Sequence, residues 1–236
     1  MKRGNMTGKK NLKSAVKKTM LVSLLVNSVL ILAFLVLSYA EEINVKEKIK
    51  QLAEIQTQFE NKDFKERRKA LENLSKIKDA RKPEILKKAL KDEDPIIREK
   101  SAIMLGKEKT SVARDILLES IKSNDESLRL GAIGGLGEFP KDKKAVSALI
   151  GLISNKDRNT RWKAIETLGN MKSNLAVDAL LKVVKEEKEE LLQKSAIESL
   201  YKIGSKKSIL ALKTLTKNKD EKISKWSENV LKILEK

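Results

Sequence analysis

The sequence has no histidine and no cysteine, and aromatic residues make up only 3% of its 236 residues. The chain therefore cannot offer an imidazole general base, a thiol nucleophile, a tetrahedral zinc site or a disulfide framework. Any catalysis would have to come from carboxylates, lysines or hydroxyls. Ten glycines and three prolines are also too few for an all-β fold with many turns. These absences predict a helical protein without a cofactor or a metal site.

Positive charge is abundant, and part of it is concentrated at the N-terminus. There are 51 basic against 33 acidic residues, a formal charge of +18. Residues 1–19 contain no acid, and their basic residues are Lys2, Arg3, Lys9, Lys10, Lys13, Lys17 and Lys18. An uncharged apolar run, Met20–Leu37, follows them. As a helix this run would be about 27 Å long, close to the ~30 Å hydrocarbon core of a bilayer, so it can cross a membrane.

Charge on either side of the apolar run predicts its orientation. Basic residues before it, and Glu41 and Glu42 after it, place the N-terminus in the cytoplasm and the rest of the chain outside. Two alternatives remain. The run is an uncleaved anchor in a bacterial inner membrane, with the remainder on the periplasmic side, or it is a signal peptide cleaved after Ala40 that releases a periplasmic or secreted protein. A buried helix is disfavoured because such helices are rarely apolar on all sides.

Beyond residue 60 the chain repeats at intervals of 31 or 32 residues. One column of the repeat is Arg67, Arg98, Arg129, Arg161, Gln193 and Ser224. Four residues before each member stands an acid, at Asp63, Asp94, Asp125, Asp157, Glu189 and Asp220. Three residues after each stands Ala or Ser, and seven residues after each stands Leu. Four columns kept over six copies predict six copies of one structural unit.

Each column has a physical role in a helical unit. The acid precedes an amphipathic stretch and can cap the free N–H groups at the start of its helix. The small residue and the leucine share one helical face, where a second helix can approach closely. Gly106, Gly137 and Gly169 directly follow the column leucine, and we expect them to end the helix in a left-handed turn. Second amphipathic stretches follow at 83–90, 112–121, 145–153, 175–184 and 208–215.

One helix pair cannot bury its own apolar face, so the pairs must stack. The sequence predicts an all-α, right-handed α-solenoid of five helix pairs and a closing helix. The closing helix carries a stripe of Ile223, Trp226, Val230 and Ile233, which places Trp226 in the core or the cap. The predicted segments are a basic cytoplasmic leader at 1–19, an anchor or signal peptide at 20–40, a capping and linker helix at 41–60, and the solenoid at 61–236.

Units such as Asp94-Pro-Ile-Ile-Arg-Glu-Lys-Ser-Ala-Ile-Met-Leu-Gly106, and the equivalent unit at 157–169, resemble HEAT repeats. They are similar to the short bacterial type that is also found in phycobilisome lyases, and the resemblance covers residues 61–236. It implies the solenoid fold but little about activity, because HEAT proteins serve mostly as scaffolds and binding surfaces. It also implies a ladder in which each column arginine meets an acid of its own or a neighbouring unit, and which fades at Gln193 and Ser224.

No catalytic constellation is present in the sequence. The acidic pairs at 186–187 and 189–190 are typical of a solvated turn, and the glycines at 134–137 lack the Lys-Ser or Lys-Thr of a phosphate loop. We therefore predict a non-catalytic scaffold that binds proteins of the cell envelope and has no small-molecule substrate.

Binding of nucleic acid or anionic lipid is the competing interpretation of so basic a chain. Some DNA alkylation-repair glycosylases are HEAT-like solenoids of similar length and charge, and they need aromatic side chains and a carboxylate around the lesion. Here Trp162 and Trp226 stand apart, and the second helices carry charges of both signs. Nucleic-acid binding is therefore disfavoured.

One surface position stands out as a candidate binding site. The residue directly after the arginine column points about 135° away from the buried helical face, and in two neighbouring units it is Leu130 and Trp162. We expect both to be exposed side by side within a charged rim and to anchor a partner protein. The alternative is that each side chain folds onto its own repeat and is only half-buried.

Overall fold

The computed structural model describes residues 5–234, without the side chains of residues 5–19, 21 and 22. All regular structure in that range is helical: α1 (Asn5–Phe59), α2 (Phe64–Lys76), α3 (Lys82–Ala89), α4 (Pro95–Lys107), α5 (Ser111–Ser120), α6 (Glu126–Leu136), α7 (Lys143–Leu152), α8 (Arg158–Asn170), α9 (Val177–Glu186) after a 3-10 turn (Asn174–Ala176), α10 (Glu190–Ile203), α11 (Lys206–Leu215) and α12 (Glu221–Leu234). The chain divides into two compact units, residues 1–54 and 55–236.

Helix α1 runs without a break through the predicted 20–40 segment and most of the 41–60 segment, and its residues up to Glu54 belong to the first unit. The stretch Ser23–Phe59 contains a window long and apolar enough to cross a membrane, and no part of that window is buried. Within the predicted 41–60 segment, Leu52 and Ile55 are buried, whereas Ile49 is 46% exposed. The basic side chains of the predicted leader lie outside the described residues.

The second unit is the predicted solenoid of five helix pairs and a closing helix. The pairs are α2/α3, α4/α5, α6/α7, α8/α9 and α10/α11, and α12 closes the stack. Each first helix packs against the first helix of the next unit, and the second helices α3, α5, α7, α9 and α11 each pack against the first helix that follows them. The column leucines form the continuous core, since all six are less than 9% exposed: Leu74, Leu105, Leu136, Leu168, Leu200 and Leu231.

The acid column starts the first helices. The carboxylate of Asp94 accepts hydrogen bonds from the backbone N–H groups of Ile96 and Ile97, at 2.8 and 3.1 Å. Asp63, Asp125, Asp157 and Asp220 cap their helices in the same way. Glu189 makes no such bond to its own helix. The column acid therefore caps the first helix in five of the six repeats, and only the fifth repeat, which has Glu189, lacks this cap.

The glycines after the column leucine do not end their helices in a left-handed turn, so that prediction was wrong for Gly106, Gly137 and Gly169. Among the described residues, positive φ angles occur at Gly204, which ends α10, and at Lys109 and Lys172. Helices α4 and α8 end one residue after their glycine, and a left-handed lysine follows each of them, whereas α6 ends at Leu136, directly before Gly137.

Gly106 and Gly169 are instead required by close approach between first helices, whereas a Cβ on Gly137 would lie 3.0 Å from Cγ2 of Thr167. A Cβ on Gly106 would lie 2.2 Å from the carbonyl oxygen of Gly135 in α6, and one on Gly169 would lie 2.6 Å from the side chain of Ser199 in α10. Contacts that short do not occur, so any side chain would force the helices apart. Small residues thus determine how tightly the first helices stack.

The closing helix differs from its predicted stripe. Ile223 is buried, Trp226 is half-buried, and Ile233 is 58% exposed. Ser227 and Leu231, which belong to the repeat columns, are buried instead of Trp226 and Ile233. The helix therefore keeps the register of the other first helices, and its outer face is open because no further unit follows within the described residues.

Candidate interaction surface

The arginine column joins each unit to the next. Arg98 donates from Nη1 to the carbonyl oxygens of Asp92 and Glu93, in the turn that precedes its helix, at 2.6 and 2.9 Å. Its Nε and Nη2 donate to the two carboxylate oxygens of Asp125 in the following unit, at 3.0 and 2.8 Å. One guanidinium thus satisfies free carbonyls and makes a bidentate ion pair.

The same double contact recurs in the other arginine units. Arg67 pairs with Asp92, Arg129 with Asp157, and Arg161 with Glu187 and Glu189, and each also binds carbonyls of the preceding turn. Gln193 retains only the carbonyl contact, to Glu187 at 2.8 Å, and the hydroxyl of Ser224 donates to Thr216 at 2.7 Å. Binding the turn carbonyls is therefore constant in the column, and the ion pair is an addition in the first four units.

The ion pairs shift the acids that they use. The hydrogen bond from Arg98 lowers the pKa of Asp125, and its charge and that of Arg129 act in the same direction. The pKa of Asp157 is lowered first by the hydroxyl of Thr160 and then by Arg129. Asp125 and Asp157 are thus held by contacts within the stack of helices, and their role is structural.

Trp162 is 44% exposed on α8. The ammonium group of Lys163 lies 5.7 Å from the centroid of its ring and also pairs with Glu166 at 3.0 Å. At the start of the same helix, the amide of Asn159 donates to Glu126 of α6 at 2.7 Å. The indole thus stands at the surface with charged and polar groups around it.

Leu130 lies at the equivalent position of α6, which packs against α8, but it is half-buried, not exposed as expected. The neighbouring Gly131 brings α6 very close to α4: a Cβ there would lie 2.5 Å from the carbonyl oxygen of Glu99. Leu130 is partly covered because its helix is drawn into the stack. The exposed part of the expected pair is therefore mainly Trp162.

A basic groove of about 610 Å³ lies between α2 and α4, on the surface formed by the first helices. Its basic residues are Lys65, Arg68, Lys69, Lys100 and Lys107, and its other lining residues are Leu71, Glu72, Ser75, Ile103 and Met104. This groove was not among the sites predicted from the repeat pattern. A signal was present, because lysine occupies the second position after the arginine column in both units, at Lys69 and Lys100.

A second, more apolar groove of about 600 Å³ lies between α3 and α5. Leu90, Val112 and Ile116 are among its lining residues. Lysines line it from α3, whereas the acids Asp115 and Glu119 line it from α5. Those acids already have partners, since Asp115 pairs with Arg114 and Glu119 with Lys122.

No group of three or more acidic residues in the described part of the chain is placed to hold a metal ion. Most of the column acids cap helices or pair with arginines, as described above. The exposed helix faces and the two grooves of the described residues can contact a macromolecule.

Comparisons with solved structures agree with this fold. The chain is similar to a designed armadillo repeat protein in complex with the peptide (KR)4, with 16% identity, coverage of 78% of this chain and 99% of that chain, and a TM-score of 0.51. It is also similar to a chain in the complex of CpcE and CpcF of phycocyanin lyase from Nostoc, with 23% identity and a TM-score of 0.49. That match covers 64% of each chain, which is less than two thirds of the lyase chain.

No curated protein matches the chain significantly in sequence. The family model HEAT_2, described as HEAT repeats, matches residues 52–133 and 115–201. These two matches together span more than half of the chain, and they include the arginine ladder and five of the six column leucines. The chain belongs to the HEAT-repeat family.

Proposed function

We propose that this protein is a non-catalytic scaffold that binds other proteins of the bacterial cell envelope through its HEAT-repeat unit. The exposed Trp162 supports this function best, because a half-exposed indole with a charged rim is typical of a binding hot spot. Solenoids of this fold can hold peptides, as the designed armadillo repeat protein does with (KR)4. The column acids and arginines are occupied in holding the units together, which favours a binding role over a catalytic one.

The setting proposed for the scaffold is the outer side of the inner membrane. An uncharged apolar stretch within α1, preceded by basic residues and followed by acids, supports an anchor with this orientation. The solenoid would then be held near the membrane, where its partners are envelope proteins. Cleavage after Ala40 is the alternative, and it would leave the same solenoid free in the periplasm or outside the cell.

Membrane fractionation combined with an intact-mass measurement decides the setting. An anchored protein keeps its full mass of 26.6 kDa and stays with the membranes after carbonate extraction. A shorter protein that begins at Glu41 in the soluble fraction would replace the anchor with cleavage.

The binding site is tested with Trp162→Ala. We expect this variant to lose a partner that the wild-type chain retains in a pull-down, while its thermal unfolding stays nearly unchanged because the ring is exposed. Leu130→Ala is the companion variant at the equivalent position. A large loss of stability in Trp162→Ala with partner binding intact would show that the indole is part of the fold and not of an interface.

A further inference from the structure

The basic groove between α2 and α4 has charges without partners. Among the described residues, Lys65, Lys100 and Lys107 have no carboxylate within ion-pairing distance. The acid that lines the groove, Glu72, is already paired with Lys76 at 3.0 Å. Three lysines thus line the groove without an ion-pairing carboxylate among the described residues.

Neighbouring lysines, including Lys100 of the groove, act on the carboxylate of Glu72. Its pKa is lowered first by the hydrogen bond from Lys76 and by the charge of that lysine, and further by the charge of Lys100. Because Lys65, Lys100 and Lys107 have no ion-pairing carboxylate among the described residues, their charges are available to the acids of a partner. The electrostatics therefore favour an acidic partner.

The floor of the groove is aliphatic. Leu71 is buried beneath it, and Ile103 and Met104 are half-buried and contribute part of their side chains to its surface. A floor of this kind suits apolar side chains, and it lacks the aromatic rings on which nucleic-acid bases stack. A flat bilayer would reach the lysines of the rim but not the floor, so the shape favours a protruding segment of a protein.

The floor continues across α6 toward Trp162. Gly134 of α6 lies between Ile103 and Lys163. A Cβ at this position would be 3.7 Å from Cγ1 of Ile103 and 3.8 Å from Cε of Lys163, both ordinary contact distances. Lys163 in turn lies over the ring of Trp162 at 5.7 Å. Apolar and basic groups therefore follow one another from the groove to the exposed indole.

We propose that the basic groove binds an amphipathic segment of a partner protein, in which a row of apolar side chains is flanked by Asp or Glu. The apolar row packs on Ile103 and Met104, and the flanking carboxylates pair with Lys65, Lys100 and Lys107. This assignment rests on the scaffold function proposed above and specifies the chemistry of its partner. It holds for the anchored and for the cleaved protein.

A defined peptide tests the groove directly. The probe is a fluorescein-labelled helical peptide with leucine at every third or fourth position and glutamate on either side, and its anisotropy is titrated with the full chain in a neutral detergent. We expect saturable binding. The same peptide with lysine in place of glutamate should bind about tenfold more weakly or worse, since like charges then face each other.

Two triple variants with equal charge change separate a local site from the net charge of the chain. Reversing the groove lysines (Lys65→Glu, Lys100→Glu, Lys107→Glu) should weaken peptide binding about tenfold or more. The matched control reverses three exposed lysines in and just after α11 (Lys206→Glu, Lys213→Glu, Lys217→Glu), and it should bind the peptide as the wild type does. Met104→Ser should weaken binding and Met104→Leu should retain it, with unfolding midpoints like that of the wild type.

Four results would overturn the proposal: no peptide binding by the wild type, an equal loss in both triple variants, binding of monomeric dihexanoylphosphatidylglycerol in place of the peptide that disappears in the groove variant, or self-association of the chain that disappears in that variant. The last two assign the groove to lipid headgroups or to a second copy. The pull-down with Trp162→Ala is independent of all four, so failure of the groove leaves the scaffold function standing or falling on its own test.

Discussion

At the scale of single residues, each arginine of the column makes two kinds of contact in this solenoid. An arginine of the column binds carbonyl groups of the turn before its helix and, with its remaining donors, an acid of the next unit. Gln193 shows that the two jobs can be separated, because it keeps the carbonyl contact without an ion pair. A partly buried carbonyl left without a donor costs more than the loss of a partly exposed ion pair.

Substitutions at Arg98 test this division. Arg98→Ala removes both contacts and should lower the free energy of unfolding by about 2–3 kcal/mol, whereas Arg98→Gln keeps the carbonyl contact and should cost about 1 kcal/mol. Urea denaturation measures both. The control is Arg158→Ala, which breaks an exposed ion pair to Glu189 and should change stability by less than about 0.5 kcal/mol. Equal losses for Ala and Gln at position 98 would contradict the account.

The ladder also predicts acid sensitivity. The pKa values of Asp125 and Asp157 are lowered in the folded chain from the ordinary 3.8, so the unfolded chain binds more protons than the folded chain in that range. Their contribution to stability is therefore fully present above about pH 5 and is lost as the pH falls through 3.8 toward the folded values. Urea unfolding at a series of pH values should show this loss. Asp125→Asn should reduce it, and an unchanged pH profile in that variant would exclude a role for the pair.

At the scale of the helix, the stacking of first helices depends on the absence of side chains. Gly106 faces Gly135 across the contact between α4 and α6, and the backbones meet there without an intervening Cβ. Gly151, in α7, has nothing within 4 Å of a Cβ position and is exposed. Gly106 therefore leaves no space for a side chain, whereas Gly151 does, although both lie in helices.

The pair predicts substitutions of opposite sign. Gly106→Ala should destabilise the protein by about 2–3 kcal/mol, because α4 and α6 must separate. Gly151→Ala should stabilise it by about 0.5–1 kcal/mol, because alanine loses less conformational entropy in a helix. Chemical denaturation of the two variants measures both effects. If both substitutions changed stability in the same direction, close approach would not be the reason for Gly106.

The sequence predicts the elements well where the cause is local. The stretch predicted at 83–90 is the helix Lys82–Ala89. The column acid that precedes a first helix, such as Asp94 before α4, caps that helix as its position indicates, in five of the six repeats. It fails where the cause lies on another element. A glycine after a leucine at a helix end is typical of a left-handed stop as well as of close approach, and only the position of Gly135 in the neighbouring helix separates the two for Gly106.

The candidate sites show the same limit. Exposure of Trp162 follows from its place in the repeat, but the half-burial of Leu130 follows from how closely α6 approaches α4. The groove between α2 and α4 was missed because its lysines and its aliphatic floor come from two units, and a one-unit pattern does not bring them together. The buried ion pair between Lys82 and Glu108, 2.7 Å long, joins two units in the same way.

At the scale of the whole chain, the HEAT-repeat unit presents two kinds of surface. The stacked first helices carry the basic groove and Trp162, and the second helices carry a groove with charges of both signs. The central claim is that the first-helix surface holds a partner protein while α1 keeps the chain in the membrane. Because this function requires both α1 and the HEAT repeats, it is tested on the intact chain.

Photo-crosslinking in living cells tests that claim most directly. A benzoylphenylalanine placed at position 162 should yield a discrete crosslinked protein adduct in the membrane fraction, and the same residue at position 151, exposed on a second helix, should yield none. Equal adducts at both positions, or adducts only in the soluble fraction, would contradict a membrane-held scaffold that binds through its first helices.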